Sequence, residues 1–154
     1  MFKSQPEADR IYVSRADSLD PLSSFSKHPF ILDEAEWPSV EHYYQAMKFD
    51  DTGIRESIRL AEHPADAQKL AKKNKRQVRK DWAKVKEIYM TRGLYIKCRT
   101  HPEVAYALLQ SAEKQLIENS QFDYYWGCGR DGRGGNAYGK ILMEVRTRLR
   151  EESG

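Results

Sequence analysis

Short β-branched or aromatic stretches alternate with capped helical stretches along this chain at no regular spacing, and that pattern constrains the fold most. Residues 10–14 (RIYVS) and 29–33 (PFILD) are brief and rich in strand formers. Between them, Asp20-Pro21-Leu22-Ser23-Ser24-Phe25 reads as turn and loop. Trp37-Pro38-Ser39 stops the extended chain. Ser39 is placed as a helix N-cap with Glu41 in the first turn, and the helix is expected to run to about Phe49. Further helices are expected over residues 53–61 and from Pro64, where a proline suits the first turn. Asp81 can cap a longer helix carrying Trp82, Val85, Tyr89 and Ile96 as a core-facing stripe. Thr100-His101-Pro102-Glu103 has capping-box spacing and starts a helix through Leu109. Residues 115–119 suggest a third strand, and the last helix carries Ile141, Leu142, Val145 and Leu149 on one side. Without regular βαβ spacing, this order predicts an α+β fold: a single helix-rich domain with a small β-sheet, over residues 1–154.

A chain of 154 residues holds one core and little more. Three Trp, nine Tyr and five Phe supply the apolar area that offsets chain entropy, which argues against disorder. No run of apolar residues is long enough for a membrane span, and the polar amino terminus lacks a signal-peptide core. Cys98 and Cys128 show neither CxxC spacing nor a histidine partner at zinc-finger distance. Free thiols in a reducing, cytoplasmic compartment are expected, with no structural metal and no cofactor.

Charge is unevenly placed. Lys69, Lys72, Lys73, Lys75, Arg76, Arg79 and Lys80 bring seven cations with no intervening acid, more than the whole chain's net +3. Such a field attracts a phosphate, a pyrophosphate or a nucleic-acid backbone, although a solvated helical face would read the same way.

Two segments have the composition of a site. On the helix after Ser39, Glu41, Tyr44, Gln45 and Lys48 fall on one side, with Tyr43 and Ala46 on the other. Glu41 and Lys48 lie about 10 Å apart along the axis, so they bracket whatever lies across the helix, with Gln45 between them. The plain alternative is an exposed polar stripe. The second segment, residues 121–139, holds six glycines. Glycine at this density lets backbone amides approach a ligand closely, and Asn136 can cap the last helix. Trp126 offers a flat face for a base, and Asp123 suits ribose hydroxyls; the alternative is a surface loop over a buried Trp. Neither a Walker pattern nor a GxGxxG fingerprint is present.

Other residues carry less. His28, His42, His63 and His101 share no spacing, and His63 and His101 precede prolines at helix starts, where capping explains them. No serine sits in a GxSxG context. Cys128 lies in the glycine loop with no base supplied to it, and Trp82 reads as core.

Three segments together resemble the YbiA/NADAR family. They are Leu22-Ser23-Ser24-Phe25 with Pro29-Phe30; Trp37-Pro38-Ser39-Val40-Glu41-His42-Tyr43-Tyr44-Gln45-Ala46-Met47-Lys48-Phe49; and Asp123-x-x-Trp126-Gly127-x-Gly129 through Asn136, Gly139, Leu142-Met143 and Arg146. Ser24 stands where the family usually has Asn, which weakens any ligand contact assigned to that side chain.

The resemblance implies N-glycosidase chemistry, the cleavage of a bond between an anomeric carbon and an exocyclic amine. The family's described substrates are early aminopyrimidine intermediates of riboflavin synthesis, which lose ribose phosphate, and ADP-ribosylated guanine in nucleic acid. The implied partner is therefore a small phosphorylated ribosyl molecule or ADP-ribosylated nucleic acid. Glu41, Lys48 and Asp123 are the implied catalytic set. Phe25, Tyr44, Gln45, Trp126, Gly127, Gly129 and Asn136 are the implied substrate contacts. Glu41 suits proton transfer, and Lys48 suits trapping of a ring-opened sugar as a Schiff base. Asp123 would hold the ribose hydroxyls or orient Lys48, and both routes stay open. The competing reading is a module that binds ADP-ribose or nucleic acid and leaves Glu41 and Lys48 idle.

Overall fold

The computed structural model describes residues 9–153, so most of the polar amino-terminal stretch lies outside the described residues. The chain forms two compact units, Ser24–His101 and the described parts of Met1–Ser23 with Pro102–Gly154. Helices and short strands mix in the α+β manner the sequence predicts. Among the described residues, no helix is long and apolar enough to cross a membrane.

The Ser24–His101 unit opens on a hairpin of β1 (Phe30–Leu32) and β2 (Ala35–Trp37). Asp33 and Glu34 form its two-residue turn with φ of 54° and 65°, the doubly left-handed geometry that matches strand twist. The antiparallel register pairs Phe30 with Trp37, and both rings are buried. The helices follow: α1 (Val40–Ala46), α2 (Thr52–Arg59), α3 (Pro64–Lys73) and α4 (Trp82–Thr100), with a 3-10 turn at Lys75–Gln77.

All seven residues of α1 are buried, because α2, α3 and α4 all pack against it. Gly93 lets α4 come close: a Cβ there would stand 3.1 Å from Val40 and 3.3 Å from the Tyr43 ring.

Several local expectations change in this unit. The first helix stops at Ala46, not Phe49. The chain then tightens, with Lys48 N–H donating to the Gln45 carbonyl at 3.3 Å and Phe49 N–H to that of Ala46 at 3.1 Å. This turn carries Phe49 into the core. In α4 the fully buried line is Met90, Gly93, Leu94, Lys97 and Cys98, whereas Trp82, Val85, Tyr89 and Ile96 are half-buried. Trp82 belongs to an aromatic cluster instead, stacked on Tyr89 at 6.0 Å and tilted against Tyr44 at 5.1 Å. Asp81 makes no side-chain cap; its carboxylate pairs with Arg79 at 2.6 Å. Thr100 belongs to α4, where its hydroxyl donates to the Ile96 carbonyl, so it does not open a capping box.

His63 likewise makes no side-chain capping bond to α3. The His101 Nε2 lies 2.6 Å from the Pro29 carbonyl oxygen, and its ring meets that of His28 edge-on.

In the other unit β3 (Arg10–Val13) and β4 (Gln115–Glu118) pair in parallel, Arg10 opposite Gln115 through Val13 opposite Glu118. α5 (Pro102–Gln110) packs against α6 (Ala137–Ser153), and α6 packs against β4. Tyr138, Ile141, Leu142, Val145 and Leu149 form the buried side of α6, over Val13 and Leu116. Arg146 reaches from α6 to the chain after α5 and donates to Ser111 Oγ and the Lys114 carbonyl, both at 2.8 Å.

Candidate active site

α1 begins at Ser39, whose Oγ accepts the His42 N–H at 3.1 Å and lies 2.7 Å from His42 Nδ1. His42 Nε2 faces the Ala61 carbonyl at 2.9 Å. The consistent protonation is a neutral ring with hydrogen on Nε2, and burial holds the imidazole below its usual pKa while the Ala61 carbonyl opposes that shift. The cap and the buried ring fix the first turn of α1, which is the turn that carries Glu41.

Glu41 is fully buried. A carboxylate in that position is tolerable only when hydrogen bonds replace its water. Ser24 Oγ donates to Oε1 at 2.7 Å, and Gln45 Nε2 donates to Oε2 at 2.7 Å from the next turn of α1. Gln68 Nε2 donates to Oε2 at 3.2 Å from α3. The Glu41 N–H returns a bond to the Ser24 carbonyl at 2.9 Å. Because Gln45 turns its amide nitrogen to the carboxylate, its Oε1 is left buried with no hydrogen-bond partner among the described residues.

Tyr44 lies beside Gln45, and Lys48 Nζ sits 5.7 Å from the Tyr44 ring centroid, within cation–π range. Lys48 lies past the end of α1, half-buried, and its carbonyl accepts the Arg79 N–H at 2.7 Å. Of the polar side expected of this helix, Glu41, Tyr44 and Gln45 are buried rather than exposed, and Lys48 is half-buried. Phe25 follows Ser24 and is half-buried.

Gln68 is exposed on α3, and Lys69, Lys72 and Lys73 follow it on the same helix, all exposed. Lys75, Arg76 and Lys80 are exposed as well, whereas Arg79 is engaged by Asp81 and by Tyr89 Oη at 3.1 Å. Sequence reasoning missed two contacts of the carboxylate. In the sequence Ser24 stands out only as a departure from the family pattern, and in the structure its hydroxyl donates to Glu41. Gln68 carries no local signal at all, since its role exists only through packing of α3 on α1.

The other unit holds the glycine-rich segment, and its amides are not free for a ligand. Gly129 N–H donates to Ser120, Gly134 N–H to Cys128, Gly135 N–H to Tyr124 and Asn136 N–H to Gly127 carbonyls. The glycines serve close packing instead. A Cβ on Gly127 would stand 2.6 Å from Glu118 Oε1, and one on Gly129 2.5 Å from the Tyr124 ring.

Asp123 is half-buried, and its Oδ1 accepts the N–H groups of Tyr125 at 3.0 Å and Trp126 at 2.8 Å. Trp126 is buried, edge-on to Tyr125 and with the Arg15 guanidinium 5.2 Å from its centroid. Asn136 has a φ of 51° and caps α6 with its carbonyl, which accepts the Lys140 N–H. Its side chain instead clasps β4: Oδ1 accepts the Glu118 N–H at 2.8 Å and Nδ2 donates to the Leu116 carbonyl at 2.9 Å.

Comparison with known proteins bears on what a buried, triply bonded Glu41 is for. A NADAR domain profile matches residues 7–150. The chain belongs to the NADAR family. N-glycosidase YbiA of Escherichia coli (strain K12) is 38% identical over 138 residues, covering 90% of this chain and 86% of that one. The NMR structure of the same E. coli protein superposes with a TM-score of 0.84 at 37% identity, over 94% of this chain and 86% of that chain. An N-glycosidase of Nostoc punctiforme is 40% identical over 132 residues, 84% of this chain and 85% of the relative. A riboflavin biosynthesis protein of Vibrio vulnificus is 39% identical over 117 residues, which are 76% of this chain but 32% of that longer protein. The enzyme class implied by the resemblance, N-glycosyl hydrolase, is the class named for the Escherichia coli and Nostoc relatives.

Proposed function

We propose that this chain hydrolyses the bond between the anomeric carbon of a ribose, borne on a phosphate or on ADP-ribose, and an amine. The observation that carries the reading is the Glu41 carboxylate, withdrawn from water and aimed by Ser24, Gln45 and Gln68. Groups held this way keep one geometry while a proton moves. Breaking the C1′–N bond leaves electron density on nitrogen and positive charge on the sugar ring. In the direct route the Glu41 carboxylate takes a proton from the water that adds to C1′ and passes it to the departing nitrogen, which restores the carboxylate.

A second route uses Lys48. Its Nζ attacks C1′ of the ring-opened sugar, the amine leaves with a proton, and water then hydrolyses the imine to free the lysine and the sugar. The exposed cations from Lys69 to Lys80 suit the substrate's phosphate. The naming of a NADAR relative for riboflavin biosynthesis makes an aminopyrimidine ribotide the first substrate to test, and ADP-ribosyl-guanine the second.

The test is incubation of the purified protein with each substrate, with mass analysis for ribose phosphate or ADP-ribose and for a borohydride-trapped lysine adduct. Release of the sugar with an adduct selects the imine route, and release without one selects direct hydrolysis. Tight binding with the ligand intact after long incubation replaces the enzyme with a binding module.

A further inference from the structure

Parallel strand pairs normally have both faces covered. One face of the β3–β4 pair carries Val13, Leu116 and Glu118, all buried, under α6. Alternation of side chains turns Arg10 and Tyr12 of β3 and Gln115 and Ile117 of β4 to the opposite face. The register sets Arg10 opposite Gln115 and Tyr12 opposite Ile117, so the four form one floor. Tyr12 is 44% exposed there, so its ring face is open to a ligand. With the glycine loop as a wall, this floor bounds a cavity of about 270 Å³.

The contents of the cavity say what it would take. Its volume lies just under the roughly 300 Å³ where ligand pockets begin, so the occupant is small. Arg10 supplies a cation with a forked donor geometry, and no carboxylate among the described residues lines the cavity. Tyr12 and Ile117 supply a flat apolar surface. Gly132 lines the wall with a φ of +77° and open space where a Cβ would stand, leaving its backbone accessible on that side.

We propose that this cavity is a ligand site built wholly within the β3–β4 unit, taking a small planar ring that bears one anionic group. The Arg10 guanidinium pairs with the anion, and the ring lies on Tyr12 and Ile117. Arg10, Tyr12 and Ile117 are not among the residues assigned to the glycosidase reaction; of the cavity lining, Asn136 alone is, and its side chain is engaged by β4.

The experiment is amide NMR of the full chain titrated with AMP and with nicotinate, and with adenosine and inorganic phosphate as half-ligands. The expected result is saturable shifts at Tyr12, Ile117 and Gly132 with AMP or nicotinate, and slower modification of the cavity-lining Cys128 thiol. Arg10→Ala should weaken that binding at least about tenfold, the loss of one charge-assisted pair, while sugar release from the glycosidase substrate stays unchanged. A response to AMP alone makes the anion a phosphate, and a response to nicotinate alone makes it a carboxylate; either supports the site. Absence of shifts at these residues up to about 10 mM of both ligands overturns the proposal, as does equal binding of adenosine or phosphate alone.

Discussion

Ser24 and Glu41 hold each other twice: the Ser24 hydroxyl donates to Glu41 Oε1 at 2.7 Å, and the Glu41 N–H donates to the Ser24 carbonyl at 2.9 Å. The first bond aims the carboxylate, and the second ties the loop before β1 to the first turn of α1. A side chain and a helix start are thereby positioned by a single residue.

Glu41→Gln should lower the rate of sugar release by at least about a hundredfold, the usual scale for losing a positioned proton-transfer group. The amide oxygen can take the place of Oε2 and still receive Gln45 and Gln68, while the amide nitrogen faces Ser24 Oγ, so stability should change by no more than about 1 kcal/mol. Single-turnover kinetics and urea titration separate the two effects. A variant at full rate removes Glu41 from the chemistry.

Ser24→Ala takes one donor from Oε1 without disturbing the backbone bond. Stability should drop by about 1–3 kcal/mol, the desolvation penalty of a weakened buried acceptor. The maximal rate should fall while the Michaelis constant changes little, because the hydroxyl acts on Glu41 and not on the substrate. A change confined to the Michaelis constant would move Ser24 into the binding surface.

His42 sets a pH dependence of stability. Burial lowers its pKa in the folded chain, so the unfolded chain binds the proton more readily. Its contribution is full above the unfolded value of about 6.5 and is lost as pH falls from there through the lower folded value. Urea midpoints should therefore decline on acidification below about pH 6.5, and His42→Gln should flatten that part of the curve. An unchanged slope in the variant refutes the assignment.

The two thiols should react differently. Burial pushes Cys98 up to about 11, whereas Cys128 is half-buried in the glycine loop. At pH 8 an aromatic disulfide reagent should titrate one thiol in the native protein and two after denaturation. Cys128→Ser should abolish the native reaction, and persistence of that reaction would show that Cys98 is accessible.

Asn136 combines a left-handed φ of 51° with two bonds to β4. Asn136→Gly keeps the backbone at ease and loses the clasp, for about 1–2 kcal/mol. Asn136→Ala adds about 1 kcal/mol or more of backbone strain. Denaturant titrations should rank the native chain first, the Gly variant second and the Ala variant last.

Local signals in the sequence locate the elements well. Ser39 and Pro64 mark helix starts as their chemistry demands, and the strand stretches at residues 10–14 and 29–33 appear within a residue or two. What depends on distant partners is not legible. Two of the side-chain donors to Glu41 lie 17 and 27 residues away in the chain, so a polar helix side reads as solvent-facing until those partners are placed. The glycine segment misleads for the same reason. Its composition announces freed amides, while several of them donate to carbonyls of the segment itself, of Ser120 and of Glu118.

The parallel pairing of residues 10–13 with 115–118 has a kinetic consequence. β3 leaves the ribosome long before its partner, and some hundred residues must be made before the pair can zip. The Ser24–His101 unit is unbroken along the chain and needs no such wait. Synthesis therefore favours an order in which the unit holding Glu41 matures while β3 is still a bachelor, and β3 owes its protection during that interval to something other than its native neighbour.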